Sequence, residues 1–315
     1  MAEKLVIALG GNALQSKESD GSAEAQMKVV TETAERLADL SALGYEMAIV
    51  HGNGPQVGRI LLSSETAADV VPPMPLDVCG AESQGYIGYQ MQQALKRAIN
   101  ARGIAVPVVT LITQTIVDAE DPSFQNPTKP VGPFYSEGEA KELEAKRGYN
   151  MRFDQARNGW RRVVASPKPR KIVEVEVAKL LWKDAIVICA GGGGIPTIEL
   201  PNGEFEGVAA VIDKDFAAEL LAEDVEADAL VILTEVEKVA VNFGTPEQRN
   251  LDRLSLAEAA AYAEEGQFGS GSMLPKVEAC MKFVRVNPDK HAIITSLDKA
   301  VEALAGKTGT VITYA

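Results

Sequence analysis

The chain has 315 residues, enough for one large domain or two lobes, since domains commonly run to about 100–200 residues. Hydrophobic residues make up 46% of it and charged residues 24%, which excludes a disordered or collagen-like chain. Lys and Arg number 31 against 44 Asp and Glu, a net charge of -13, which argues against general binding to nucleic acids or anionic membranes. Any anionic ligand therefore needs a local basic site.

The rarer residue types narrow the class further. No apolar run reaches about 18 residues and the amino-terminal apolar stretch is too short for a signal peptide, so we expect a cytoplasmic protein that does not bind membranes. The cysteines Cys79, Cys189 and Cys280 lack a C-x-x-C spacing and predict buried thiols rather than disulfides or a metal site. Only His51 and His291 are histidines, so no zinc site is expected.

Short apolar runs alternate with segments of helical period along the chain, a pattern typical of an α/β protein. We predict an open, mainly parallel sheet sandwiched by helices. The predicted strands are Lys4–Leu9, Tyr45–Val50, Ala105–Thr110, Ala185–Ala190, Val208–Ile212, Ala229–Leu233, Ala292–Thr295 and Thr310–Thr313. The predicted helices are Ala23–Leu43, Ala81–Ala101, Ile172–Leu181, Phe216–Glu223 and Pro275–Val286.

The segment 118–169 interrupts this alternation. It is rich in proline and glycine and contains a short charged helix and several aromatic residues. Long loops in compact domains are usually functional lids or linkers, and the aromatics favour an ordered subdomain. We therefore predict an amino-terminal lobe of residues 1–200 with a protruding lid at 118–169, and a carboxy-terminal lobe of residues 201–315.

Three glycine clusters each follow a predicted strand: Gly10-Gly11-Asn12, Gly52-Asn53-Gly54 and Gly191–Gly194. Ligands of open α/β sheets bind beyond the carboxyl ends of the strands, where glycine lets backbone N–H groups approach an anion. A single cluster could be only a tight turn. Three together predict a phosphate or carboxylate site.

Familiar motifs for other chemistries are missing. There is no G-x-G-x-x-G of a dinucleotide-dependent oxidoreductase, and Gly306-Lys307-Thr308 lacks the leading glycine of a P-loop. A G-x-S-x-G elbow is also absent, which makes a Ser-His-Asp hydrolase improbable.

Three lysines stand in unusual surroundings. Lys214 lies between Asp213 and Asp215, Lys276 follows a glycine-serine loop and Pro275, and Lys129 is flanked by prolines. Each alone could be a surface lysine, and the two aspartates could simply cap a helix. Together the lysines offer the positive groups that phosphoryl transfer requires around the transferring phosphate.

These segments, in order over nearly the whole chain, resemble the carbamate kinase family. The most specific are HGNGPQVG from His51 and NPTKPVGPFY from Asn126. Others are ALGGNAL, SQGYIGY, WRRVV, SPKP, GGGGIP, VIDKDF and GSMLPK.

The resemblance implies the amino-acid-kinase fold and a homodimer in arginine or carbamoyl phosphate metabolism. The implied reaction is the reversible conversion of ATP and carbamate to ADP and carbamoyl phosphate, with Mg²⁺ carried by the nucleotide and no metal site of the protein itself. The implied catalytic residues are Lys129, Lys214, Lys276 and Asp213, with Asp213 orienting the lysines. The implied substrate-binding residues are Gly10, Gly11, Asn12, Gly52, Asn53 and Gly54. The implied nucleotide-binding residues are Gly193, Gly194, Thr234, Val236, Val239, Met273 and Pro275.

Two departures from other kinases of this fold matter. Those kinases often carry a lysine just before the first Gly-Gly, where this chain has Ala8-Leu9, so Lys129 is expected to replace it. The segment Thr234–Lys238 lacks the aspartates common at this position, which leaves the adenine contacts open. A kinase for another small carboxylate, a nucleotide-sensing binding module and a dinucleotide-dependent oxidoreductase remain as rivals, and the physiological direction of the reaction is not encoded in the sequence.

Overall fold

The computed structural model describes residues 2–16, 20–155 and 157–315. Its strands are β1 Lys4–Leu9, β2 Glu46–His51, β3 Val108–Thr110, β4 Gln114–Val117, β5 Lys129–Tyr135, β6 Asn150–Asp154, β7 Gly159–Val164, β8 Pro169–Ile172, β9 Ile186–Ile188, β10 Ile195–Glu199, β11 Phe205–Gly207, β12 Ala229–Thr234, β13 Val239–Val241, β14 Arg249–Leu251, β15 Arg253–Ser255, β16 His291–Ser296 and β17 Thr310–Thr313. Its helices are α1 Ala23–Ala42, α2 Gly54–Thr66, α3 Leu76–Ala101, α4 Glu137–Arg147, α5 Val175–Trp182, α6 Lys214–Asp224, α7 Leu256–Glu264, α8 Leu274–Val286 and α9 Ala300–Leu304.

The main sheet of the described residues has eight strands in the order β15-β17-β16-β12-β1-β2-β9-β3. The strands from β16 to β3 are parallel, and β17 pairs antiparallel with β16. Alternate residues of β1 point to opposite faces: Val6 and Ala8 join one apolar cluster, Leu5, Ile7 and Leu9 the other. Helices α6 and α8 cover the first face, α1 and α3 the second, which confirms the predicted α/β sandwich.

A second sheet, in the order β11-β10-β4-β8, was not predicted from the sequence. The predicted strand Val208–Ile212 is wrong. Only Ala210 forms a bridge, to Ala165, and the segment then runs into the cap of α6. Its apolar residues Ala210 and Ile212 are buried by packing rather than by strand pairing. Helix α2 was also missed, because Gly54 and Pro55 at its start are typical of a turn.

The described residues of the insertion 118–169 form a small sheet and a helix, and the role of the insertion as a protruding lid stays a prediction. Strand β5 of its antiparallel sheet β5-β7-β6 packs on α2, where Val57 shares an apolar cluster with Val131 and Val164, and helix α4 packs on the strands of this sheet. The backbones of Gly58 and Gly132 also meet closely, since a Cβ on Gly58 would lie 3.1 Å from the Gly132 nitrogen. The insertion therefore sits directly over the helix that follows the second glycine cluster.

The two predicted lobes share the main sheet. Strand β1 pairs with β2 from the same lobe on one side and with β12 from the other lobe on its other side. The boundary at residue 200 falls in the turn between β10 and β11, which pair as a hairpin. The division at residue 200 stays a prediction. None of the helices in the described ranges is long and apolar enough to span a membrane.

Candidate active site

The first two glycine clusters lie side by side at the carboxyl ends of β1 and β2. The Gly10 N–H donates to the Leu233 carbonyl of β12 at 3.0 Å, and the Gly52 N–H donates to the Leu9 carbonyl at 3.2 Å. Parallel strands are about 4.8 Å apart. The loops after β1, β2 and β12 are therefore neighbours, as expected for a site at this edge of the sheet.

Buried polar side chains hold the loop after β2. The Asn53 amide donates from Nδ2 to Ser83 Oγ at 2.8 Å, and His51 Nδ1 donates to the Gly52 carbonyl at 2.8 Å. Burial lowers the pKa of His51 to about 4, although its hydrogen bond to Gly52 opposes this change. His51 is therefore neutral at pH 7 and orients the loop without adding charge.

The third cluster needs glycine for conformation and for space. Gly193 and Gly194 have φ values of 95° and 87°, where other residues are strained. A Cβ on Gly194 would lie 1.9 Å from Thr115 Oγ1, and one on Gly193 would lie 2.5 Å from the Ile212 carbonyl oxygen. These two predicted nucleotide-binding residues pack closely on Ile212 and Thr115 and are not among the residues that line the cavity described below.

Helix α3 anchors the third cluster through Gln84, which is buried. Its Nε2 donates to the carbonyls of Gly191 at 3.0 Å and Thr113 at 3.1 Å, while its Oε1 accepts from the Thr113 N–H at 2.7 Å. Both ends of the amide are thus satisfied inside the protein. Sequence reasoning gave Gln84 no role, although it follows Ser83 in one of the quoted motifs.

The three predicted lysines converge on two aspartates at the start of α6. Lys214 Nζ lies 2.7 Å from Asp215 Oδ1, and Lys276 Nζ lies 2.8 Å from Asp215 Oδ2. Lys129 Nζ, from the insertion, lies 2.9 Å from Asp213 Oδ2. The expectation that Asp213 orients all three lysines needs correction, because Asp213 pairs with Lys129 and Asp215 holds the other two.

The aspartates also organise the helix. Asp213 caps α6 by accepting from the Asp215 N–H at 3.0 Å, the role that the sequence left open. Asp215 is almost fully buried, with 2% of its surface exposed. From the sequence, Asp215 is expected to start the helix or, with Asp213, to position Lys214, and it is not among the predicted catalytic residues. Its position directly after Lys214 was the one signal that it had a further role.

Charge pairing governs protonation in this cluster. Burial raises the pKa of Asp213, but Lys129 and Lys214 outweigh burial and bring it to about 2. Burial lowers the pKa of Lys214, but Asp215 and then Asp213 outweigh burial, so its pKa lies above the ordinary value. At neutral pH Asp213 is therefore a carboxylate and Lys214 an ammonium.

A cavity of about 540 Å³ opens beside these lysines, a size typical of small-molecule sites. Of the predicted site residues, Gly10, Gly11, Asn12, Lys214, Lys276, Thr234, Val236 and Met273 line it. The cavity thus joins the predicted acyl-phosphate loop to the predicted nucleotide segment, with two ammonium groups between them.

Other predicted residues lie beside the cavity rather than on its wall. Val239 is fully buried in the core, and Pro275 lies in the first turn of α8. Gly52 adjoins Lys214, because a Cβ there would lie 3.4 Å from the Lys214 Cδ. Glu235 and Lys238, from the segment whose adenine contacts the sequence left open, also line the cavity. Residues that sequence reasoning missed on the cavity wall include Ala240, Phe243, Gln267, Phe268 and Leu297.

The donor set does not suggest a metal site of the protein itself. Within the described ranges, no three His, Cys, Asp or Glu side chains group in a way that could hold an ion. The carboxylates of Asp213 and Asp215 are already paired with lysines. What the site offers is a set of ammonium groups and backbone donors, which suits a phosphate.

Comparisons with known proteins agree with this chemistry. The model of the amino acid kinase family matches residues 3–296. A carbamate kinase of Clostridium perfringens is 55% identical over 98% of this chain and 99% of its own length. One of Pyrococcus horikoshii is 52% identical over 99% of this chain and 100% of its own length.

Solved structures show the same relationship. A carbamate kinase of Giardia lamblia bound to AMP-PNP is 46% identical, with a TM-score of 0.93 over 99% of this chain and 98% of the other. A protein of Aeropyrum pernix is 42% identical, with a TM-score of 0.95 over 99% of this chain and 100% of the other.

Proposed function

Because this chain belongs to the amino acid kinase family and is about half identical to carbamate kinases over its full length, we propose that it is a carbamate kinase. It catalyses the reversible transfer of a phosphoryl group between ATP and carbamate, giving ADP and carbamoyl phosphate. The convergence of Lys129, Lys214 and Lys276 on Asp213 and Asp215, with Lys214 and Lys276 on the cavity wall, is the observation that carries this proposal.

The two substrates meet at the carboxyl edge of the sheet. Carbamate or carbamoyl phosphate binds at the loops Gly10–Asn12 and Gly52–Gly54, and the nucleotide occupies the cavity along Thr234–Val236 and Met273. Lys214 and Lys276 lie between the two regions, where they offset the charge of the transferring phosphoryl group. The protein supplies position and charge and forms no covalent bond to substrate.

The insertion supplies the third cation. The residue before Gly10 is Leu9, so no lysine stands directly before the first glycine pair. Lys129 reaches Asp213 from β5, with about a third of its side chain exposed, and so borders the same cluster. We propose that the insertion acts as a lid whose closure completes the charge clamp and excludes water.

Mg²⁺ enters with the nucleotide. The paired state of Asp213 and Asp215 leaves the phosphates of ATP or ADP as its main ligands, in keeping with the few protein ligands that Mg²⁺ usually takes. When bound there it would offset phosphate charge. Calorimetry with Mg²⁺ alone should detect no tight binding, and tight binding without nucleotide would contradict this assignment.

Cellular context and assembly complete the proposal. We place the enzyme in the cytoplasm, where its nucleotide substrates are found, and expect a homodimer, which sedimentation would test. Exposed Tyr89 and Ile112, at 63% and 47%, lie beside the edge strand β3 and support a face for a second copy. The reaction places the enzyme in carbamoyl phosphate or arginine metabolism.

The test is formation of ATP from ADP and carbamoyl phosphate by the purified protein. Acetyl phosphate at equal concentration is the control, because it offers the same phosphoryl group on a different acyl group. Turnover with carbamoyl phosphate well above that with acetyl phosphate is expected. Preferred turnover of acetyl phosphate would favour a kinase for another small carboxylate, and binding of ATP without turnover would favour a sensing module.

A further inference from the structure

Lys168 lies at the end of the insertion, in the segment Ser166–Pro169. Its Nζ lies 3.2 Å from the centroid of the Phe216 ring, a cation–π contact. The same Nζ is 4.0 Å from Glu278 Oε2. Its backbone N–H donates to Asp121 Oδ2 at 3.1 Å. Lys168 therefore connects three parts of the chain that are distant in sequence.

The two ends of the insertion form one base. Asp118 makes an ion pair with Arg170, and Asp121 binds the Lys168 backbone across the same gap. Asp121 also accepts from the Ser123 N–H at 2.8 Å, which shapes the turn that leads towards β5. A change in the position of Lys168 therefore affects both ends of the insertion.

The Lys168 ammonium contacts both helices that carry catalytic lysines. Phe216 lies two residues after Lys214 in α6, and Glu278 lies two residues after Lys276 in α8. Helices α6 and α8 also pack on one another. The insertion thus meets the lysine cluster twice, once through Lys129 at Asp213 and once through Lys168 at these two helices.

We propose that Lys168 is a positioning residue that seats the base of the insertion on α6 and α8, and so sets Lys129 against Lys214 and Lys276. This inference rests on the proposed function for its effect on turnover. The Lys168 side chain is 64% exposed, so its contacts add little to global stability. Its contribution is to the relative placement of three cations, which phosphoryl transfer requires.

The first test uses Lys168→Ala, with Lys171→Ala as the matched control, since Lys171 is an exposed lysine on β8 close to the same base. Lys168→Ala should lower kcat about tenfold through misplacement of catalytic groups, while KM for ADP and the urea midpoint stay at wild-type values. Lys168→Arg should restore most of the lost kcat, because guanidinium also stacks on an aromatic ring. Lys171→Ala should match wild type.

The second test asks whether Phe216 is the partner. Phe216→Leu keeps an apolar side chain but removes the ring, and it should lower kcat to a similar extent. Combined with Lys168→Ala, it should cause little further loss, because the two changes remove one interaction. Additive losses, or an unchanged kcat in Lys168→Ala, would overturn the proposal. A rise in KM for ADP that matches the loss of kcat/KM would make Lys168 a nucleotide ligand instead.

Hydrogen exchange separates this inference from the proposed function. In Lys168→Ala the amides of 119–135 and the first turns of α6 and α8 should exchange faster than in wild type, while those of β1 and β12 stay unchanged. Inactive wild-type protein would overturn the carbamate kinase assignment and leave this exchange result to decide the role of Lys168. Unchanged exchange in an active enzyme would overturn the positioning role alone.

Discussion

The carboxylate of Asp215 is the point at which the lysine cluster can be tested most sharply, by replacing it with the isosteric amide in Asp215→Asn. Each carboxylate oxygen accepts from a different ammonium, Lys214 at 2.7 Å and Lys276 at 2.8 Å. An amide keeps one acceptor oxygen and turns an NH₂ group towards the second lysine. One attraction is therefore lost and replaced by a contact between two donors.

The burial of the group sets the size of the effect. Asp215 is 2% exposed, and the side chains of Lys214 and Lys276 are 13% and 14% exposed, so water cannot easily replace the lost acceptor. Removing one partner of such a buried pair typically costs about 3–5 kcal/mol of stability. Displacing one preorganised donor costs about 10²–10³ in kcat. We therefore expect a folded but weakened protein with kcat reduced by at least about 10²-fold.

The assay is ATP formation from ADP and carbamoyl phosphate, with urea unfolding run on the same samples. Asp224→Asn, the same chemical change in the last turn of α6, is the control and should keep wild-type kcat. Refutation would be a folded Asp215→Asn protein with wild-type kcat, since the lysines would then hold their positions without the shared carboxylate.

The pH dependence gives a second check on Asp215. The pKa of Lys214 is raised in the folded state, so its ion pair stabilises the fold fully below the unfolded value of about 10.4 and is lost as the pH rises through the higher folded value. The part of the unfolding free energy that Lys214 contributes to wild type should stay constant from neutral pH to about 10 and fall above that, and this fall should be smaller or absent in Asp215→Asn.

Three further predictions concern other parts of the molecule. Lys129→Ala should lower kcat far more than it weakens binding of ADP, because the Lys129 side chain contacts the phosphoryl group mainly in the transition state. An unchanged kcat in steady-state kinetics would show that Lys129 is an ordinary surface lysine. Because Lys129 and Lys214 together outweigh burial and hold the pKa of Asp213 at about 2, Asp213 alone should contribute a loss of about 2 kcal/mol of unfolding free energy as the pH falls from about 4 to 2. Lys129→Ala should lose less than wild type in urea titrations over this range, and an equal loss would contradict the pairing. Burial raises the pKa of all three thiols, Cys79, Cys189 and Cys280. A thiol reagent at pH 8 should therefore label the native protein hardly at all and should label all three cysteines in urea. Rapid labelling of the native protein would contradict the burial of these thiols.

Sequence patterns predicted the parts of the fold that depend on local chemistry. The buried strand β1 and the helix end at Gly44, with its φ of 92°, follow from apolar runs and a glycine stop. Val208–Ile212 has the same apolar composition as a strand, yet within the described residues it pairs only through the single bridge between Ala210 and Ala165. Strand pairing is a property of the assembled sheet, and composition does not encode it.

The site residues also fall into those that the sequence predicts from local features and those that depend on long-range contacts. Lys214 and Lys276 could be predicted because their flanking residues are unusual, and resemblance to a family added their roles. The pairing of Asp215 with Lys276, and of Lys168 with Phe216, joins residues tens of positions apart. A sequence without an alignment carries no local signal for such contacts, so only the three-dimensional structure reveals them.

The position of β1 between β2 and β12 has a consequence for any attempt to split the enzyme. A fragment of residues 1–200 would retain β1 but lose β12, and so would expose the unpaired edge of five residues, Leu5–Leu9, that are buried in the whole chain. Such an apolar edge is a template for aggregation. The complementary fragment 201–315 would expose β12 in the same way. The two fragments should therefore be obtained in soluble form only when they are co-expressed. Pairing of β1 with β12 between the fragments should then restore activity.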